Sequence, residues 1–198
     1  PDLVIANGDY TCDTAFIGVS DDAACESARL CLEKLRARFG PRFHATVGAH
    51  ELGKVSLAGG KGGLRLASWH RAVNELRLQP FWRLDVGSYV LFGVCSSLIA
   101  WPVNEPDALP AELADWRALR AAHLREVCAA FASLRPEQRV LLFCHDPTAL
   151  PFLAEEEAVR ARLGQIEQTI IGHLHSPLLL WKSRLLAGMP VISFLGHS

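Results

Sequence analysis

Short apolar runs that each end in a polar turn, separated by segments of helical length, constrain this chain more than any other feature. Leu3-Val4-Ile5-Ala6 runs into Asn7-Gly8-Asp9, and Phe43 to Val47 runs into Gly48-Ala49-His50-Glu51. Val140 to Cys144 runs into His145-Asp146, and Thr169-Ile170-Ile171 into Gly172-His173-Leu174-His175. Apolar runs bounded in this way read as buried strands. Between them, Asp21-Asp22 opens a helix to about Phe39, with Ala24, Ala28, Cys31, Leu32 and Leu35 at helical spacing and Gly40-Pro41 as its stop. Shorter helices are expected from Ser68 to about Leu78 and from Glu155 to Leu163. A long amphipathic helix is expected from about Ala111 to Leu134, after a loop marked by Pro102, Pro106 and Pro110. Phe81–Val86 and Tyr89–Val94 flank Gly87-Ser88 as a hairpin, and Leu178–Trp181 and Val191–Leu195 read as a final strand pair. The order predicts an α/β fold in which two packed sheets carry helices outside.

The chain has 198 residues, which suits one domain. Apolar residues at 50% and charged residues at 21% exclude a disordered tail, a collagen-like chain and a disulfide mini-scaffold. With 20 basic and 21 acidic residues the net charge is −1, which lacks the basic surplus that sequence-blind nucleic-acid binding draws on. The longest apolar stretch, roughly Tyr89 to Trp101, falls short of the about 20 residues of a spanning helix, and no secretory signal opens the chain. Cysteines at 12, 25, 31, 95, 128 and 144 form no CxxC pair and sit mostly in apolar surroundings. They read as free thiols of a cytoplasmic protein.

Four of the turns carry side chains that bind metals or move protons: Gly8-Asp9, His50-Glu51, His145-Asp146 and Gly172-His173-Leu174-His175. A single histidine is more often a hydrogen-bonded structural residue than a ligand, and Gly-Asp alone is an ordinary turn. Taken together at strand ends, three imidazoles and a carboxylate suit a Zn-, Mn- or Fe-like ion. His173 and His175, one residue apart, face the same side of an extended chain.

The order Gly-Asp, Gly-Asn-His-Glu/Asp, His, Gly-His-x-His is the signature of the calcineurin-like metallophosphoesterases, and this chain resembles it at all four places, over nearly its whole length. The resemblance implies a four-layer α/β/β/α sandwich, two mixed sheets flanked by helices, with residues 1–198 forming one domain. It implies a site of two divalent ions, Mn, Fe or Zn, in which Asp9 bridges the pair, His145 and His173 ligate the second ion and His175 the first. His50 is then the residue that contacts the scissile phosphate and helps protonate the leaving oxygen, and Glu51 orients His50 or its loop. The implied reaction is hydrolysis of a phosphate ester or anhydride by a metal-bound hydroxide, the two ions clamping the phosphoryl oxygens. The implied partner is a small phosphorylated molecule, with no nucleic acid and no membrane span; the sequence leaves the oligomeric state open.

Two positions depart from the signature. Ala49 stands where the family has an Asn whose amide oxygen ligates the second ion. A substitution that traps a ligand, a water or neighbour filling the slot, and a natural loss of catalysis all account for it; the survival of the other motifs ranks the last lowest. The family's first motif, Asp-x-His, precedes the Gly-Asp turn by some tens of residues, whereas eight residues precede Asp9. A core strand carrying that motif is therefore expected upstream of Pro1, and its loss leaves an exposed apolar sheet edge.

Residues 53–63 hold five glycines and two lysines but do not match a P-loop. They read as a surface loop, or as a lid in which Lys54 or Lys61 touches a substrate phosphate. Tyr10 and Asp13 read as turn residues or as the mouth of the site, and Asp146 as a turn cap or an orienter of an imidazole. His44, His70, His123 and His197 read as structural or solvated. The five tryptophans read as core or cap residues, and Arg117, Arg120 and Arg125 as a solvated helix face. The rival to the enzyme is a catalytically weakened or inactive binding module on the same fold, which Ala49 feeds. An oxygen-activating metal enzyme is a weaker third reading, because it leaves a second metal group and His50 without roles.

Overall fold

A computed structural model describes residues 1–10, 18–53 and 63–172. His173, His175, Lys54, Lys61, Cys12, Asp13, Trp181, His197 and the strand pair expected at 178–195 lie outside the described residues. Along the chain the strands and helices are β1 (Val4–Ala6), α1 (Asp22–Phe39), β2 (Phe43–Ala45), α2 (Ala49–Leu52), α3 (Leu66–His70), β3 (Phe81–Val86), β4 (Tyr89–Val94), α4 (Ser96–Ile99), α5 (Trp101–Asn104), α6 (Leu113–Ala132), β5 (Arg139–Cys144), α7 (Ala149–Glu155), α8 (Glu157–Arg160) and β6 (Ile166–Ile170).

The molecule is mixed α/β, with two sheets flanked by helices. β1 and β2 pair in parallel, Val4 opposite Phe43, joined by α1 as the crossover. The other sheet runs β3-β4-β5-β6, with β3 antiparallel to β4 and the remaining pairs parallel. The hairpin falls where Gly87-Ser88 places it, with Val86 paired to Tyr89 and Gly87 at φ +61°.

Local chemistry sets the helix ends. Asp21 caps α1, its carboxylate accepting from the Ala24 N–H at 2.9 Å, and Gly40 ends it at φ +56° and ψ −131°, a backbone that glycine alone adopts readily. The helix expected from Ser68 begins at Leu66, passes into a π-helical turn over Arg71–Glu75 and ends before Arg77, itself left-handed at φ +54°. The helix expected at Glu155–Leu163 is replaced by α7, α8 and a 3₁₀ turn at Leu163–Gln165. Pro151 falls in the first turn of α7, where a missing N–H costs nothing because no carbonyl precedes it in the helix. The apolar stretch Tyr89 to Trp101 divides: β4 stops at Val94, and Ser96 starts the short helix α4.

Two apolar clusters hold these layers. One joins α1 (Cys25, Ala28, Leu32) to Val47, Leu52, Trp69, Trp101 and Trp116. The other presses Leu124, Val127 and Phe131 of α6 against Val90, Phe92, Val140 and Leu142 of the larger sheet. Between the sheets, His44 of β2 lies 5.2 Å from the Trp82 ring of β3, and Trp82 lies 5.7 Å from Phe143 of β5. Gly93 makes that layer fit, since a Cβ there would stand 2.1 Å from the indole. Trp69, Trp82, Trp101 and Trp116 are thus core residues. Among the described residues Cys25, Cys31, Cys95, Cys128 and Cys144 are free thiols, and no helix is long and apolar enough to cross a membrane.

Candidate metal centre

Side chains and backbone groups just beyond the C-terminal ends of β1, β2, β4, β5 and β6 meet on one rim. Such a rim is where open α/β sheets place ligands. The Asn7 amide donates to the Ile170 carbonyl at 3.0 Å, joining β1 to β6. Gly172 N–H donates to the His145 carbonyl at 3.1 Å, joining β6 to β5. Asp146 N–H donates to Ser96 Oγ at 3.0 Å, joining β5 to the turn after β4. Tyr10 is buried rather than lining a mouth; its hydroxyl lies 3.0 and 2.7 Å from the Ala6 and Thr46 carbonyls and ties β1 to β2. The approach is close: a Cβ on Gly8, at φ +87°, would lie 2.5 Å from Gly48 Cα, and one on Gly48 would lie 2.3 Å from Asp9 N.

Asp9 occupies the centre. It is one of two non-glycine residues with positive φ (+59°) among those described, a conformation that costs roughly 1–2 kcal/mol and that Asp tolerates better than most. Its Oδ1 accepts from the His50 N–H at 2.9 Å. Its Oδ2 lies 3.1 Å from His145 Nε2 and 3.7 Å from His50 Nε2. The turn bearing His50 is the single helical turn α2, so its first N–H groups point at Asp9 rather than into the helix.

The tautomer of His145 follows from its other nitrogen. Nδ1 lies 2.5 Å from the Asn7 carbonyl oxygen, which only accepts, so Nδ1 carries the proton. Nε2 faces a carboxylate oxygen 3.1 Å away, as a donor when the ring is protonated and as a lone pair when it is neutral. Two acceptors at that distance in a buried site repel unless a proton or a cation stands between them. Burial pushes the His145 pKa down, but the Asp9 hydrogen bond and charge and the Asn7 carbonyl outweigh it, leaving it raised. Burial likewise pushes Asp9 up, and the hydrogen bond and charge of His145, with the His50 N–H, pull it below the ordinary carboxylate range.

Glu51 is fully buried and holds the loop. It accepts from Asp9 N–H at 3.0 Å, Tyr10 N–H at 2.7 Å and Gly48 N–H at 2.9 Å. Burial first, and the Asp9 charge second, raise its pKa to about 7 against those three donors.

Of the residues expected at the site, the fold brings together Asp9, His50, Glu51 and His145. Ala49 sits beside them, fully buried, and its methyl ligates nothing. Asp146 is a turn cap: its Oδ1 accepts from Thr148 N–H at 2.9 Å, while the Asn7 carbonyl orients the His145 imidazole. Sequence reasoning passed over Asn7, whose contribution through its main-chain oxygen leaves no side-chain signature. Asn7 Oδ1 is also buried with no hydrogen-bond partner among the described residues.

The donor set fits a borderline divalent cation. It joins an ionised carboxylate oxygen to an imidazole Nε2 whose Nδ1–H is held by a backbone carbonyl, the arrangement common to metal-bound histidines. Asp9, His50 and His145 do not by themselves complete a cluster: among the described residues no group of three or more His, Cys, Asp or Glu side chains is arranged to hold a metal ion. No protein-family model, no curated protein and no solved structure matches the chain.

Proposed function

We propose that the chain is a metal-dependent phosphoesterase of the calcineurin-like type, hydrolysing a phosphate ester or anhydride of a small molecule, and that its two sheets and outer helices form that family's α/β/β/α sandwich. The observation that carries the reading is the convergence at the strand-end rim of Asp9 Oδ2 with His145 Nε2 at 3.1 Å and His50 Nε2 at 3.7 Å. Asp9 and His145 are the ligands on this side; His173 and His175, following Gly172, are the residues proposed to complete the set. Divalent ions bound there supply a water acidic enough to act as nucleophile near neutral pH and neutralise the phosphoryl oxygens.

The protein's own residues do the rest. The His50 N–H fixes one oxygen of Asp9, so the other faces His145. The Asn7 carbonyl holds the imidazole in the ligating tautomer. Glu51, through three N–H groups, sets the turn that presents His50. The His50 side chain, about one-fifth exposed against 1% for His145, is the more open of these two rings, and its role in this reading is to donate a proton to the leaving oxygen. Such general-acid assistance contributes about 10²–10⁴-fold.

Hydrolysis of an aryl phosphodiester with Mn²⁺ tests the reading. Turnover that disappears in Asp9→Asn and falls at least 100-fold in His50→Ala supports it; turnover indifferent to both contradicts it.

Ala49 favours a second reading, a binding module that has given up catalysis. Restoring the amide in Ala49→Asn separates the two. The enzyme gains metal affinity and rate, whereas a binding module gains neither.

A further inference from the structure

We propose a second, separate anion site in the cleft between α1, β2 and the segment leading into β3, built to take a small oxyanion, a phosphate or carboxylate group, on Arg36 and Arg77. The cleft has a volume of about 260 Å³ and is lined by Arg36, Phe43, His44, Ala45, Arg77, Gln79 and Trp82. Its size is just below the about 300 Å³ at which drug-sized ligands begin to be held, which limits the occupant to a small group.

The charge is one-sided. Two guanidiniums line the cleft beside the His44 imidazole, whose pKa burial lowers, and among the described residues no carboxylate does. Arg36 is anchored through the Leu76 and Arg77 carbonyls, its Nη2 donating at 2.7 and 3.2 Å. Those bonds use one terminal nitrogen and leave the rest of the fork available. Neither arginine has a carboxylate partner among the described residues. Arg29 and Arg71 of this half do have such partners, Glu26 and Glu33 for the first and Asp22 and Glu75 for the second. Arg forks match the planar or tetrahedral oxygens of such anions.

The backbone gives an independent argument. Arg77 ends the π-helical turn with φ +54°, the place where glycine is the default and a side chain costs energy. Strain retained at one residue is the kind of outlier that accompanies a functional side chain. The floor is the ring of Trp82, 5% exposed and packed against Gly93.

This site is distinct from the rim. His44 lies four positions before Gly48, about 13 Å along an extended strand. Its occupancy does not depend on the phosphoesterase reading.

Titration calorimetry of the whole chain with inorganic phosphate, in EDTA and at low salt, tests the proposal, with acetate in a parallel arm to separate the two oxyanions. Arg77→Gly removes the guanidinium and relieves the backbone, so the variant remains folded with a melting temperature no lower than the parent. Saturable binding that weakens about tenfold or more in Arg77→Gly, and persists in Asp9→Asn, supports a site here. Binding unchanged in Arg77→Gly, abolished in Asp9→Asn, or absent for both anions overturns it. A competent fold with lost binding in Arg36→Lys, which keeps charge but not the fork, confirms that guanidinium geometry is what the anion reads.

Discussion

The two sheets contribute to the rim in opposite ways. β1 and β2 are three residues each and only half-buried, yet their turns carry the left-handed Asp9, the Gly8–Gly48 contact and the buried Glu51. β3–β6 are five or six residues long and backed by α6; they contribute His145, with its tautomer set by a carbonyl from the other side. The short sheet thus holds the strain and buried charge, and the long sheet holds the position. Backbone strain persists only where surrounding structure over-determines it, and the ion we propose would sit on the seam between the rigid and the strained half.

That contrast can be broken most sharply at Glu51. Glu51→Ala strands three N–H groups, at 1–3 kcal/mol each, so urea denaturation should register a loss of about 5 kcal/mol together with loss of metal affinity. On the other half, Phe131→Ala opens a cavity beside Phe92, whose ring centroid is 5.1 Å away. It should cost about 4 kcal/mol by the same assay and leave metal affinity unchanged in the folded fraction. If both variants damaged metal binding equally, the division of labour would be wrong.

The third test uses pH. His123 of α6 is buried, and its Nε2 accepts from the Cys95 N–H at 3.2 Å. Burial depresses its pKa from 6.5 to about 4. The unfolded chain takes up a proton below pH 6.5 that the folded chain refuses until about pH 4. Stability from this residue is therefore whole above pH 6.5 and declines as the pH falls toward 4, by up to about 3 kcal/mol. His123→Gln, followed by denaturation midpoints across that window, should flatten the decline. The smallest effect is expected of Asp9→Asn. Asn tolerates the left-handed backbone, and the relief of Glu51 offsets part of the lost ionic bond to His145, so stability should fall by about 2 kcal/mol while metal binding disappears.

How far these features could be read from the sequence varied with how local their causes are. The hairpin, α1 and the middle of α6 are written in neighbouring residues: Gly87-Ser88, Asp21 and Gly40-Pro41, and an apolar stripe. α7 was not anticipated, and Pro151 at its third residue is compatible with a helix only because it falls in the first turn. The π-helical turn at Arg71–Glu75 and the left-handed Arg77 carry no composition signal. The strand-helix-strand order at the start is a βαβ pattern and agrees with the parallel pairing of β1 with β2, whereas the strand order of the larger sheet is set by long-range packing that no turn residue encodes. At the site, the motif order anticipated that Asp9, His50, Glu51 and His145 would meet. Asn7 acts through its carbonyl, and Tyr10 through a hydroxyl reaching across strands; both roles need the fold to be seen.

The account turns on a cation standing between Asp9 and His145. Mn²⁺ titration followed by electron paramagnetic resonance, on the parent chain and on Asp9→Asn and His145→Ala, measures this directly. The account predicts saturable Mn²⁺ binding by the parent and at least a 100-fold weaker affinity in each variant; binding that survives both substitutions, or a parent that takes up no divalent metal, would contradict it.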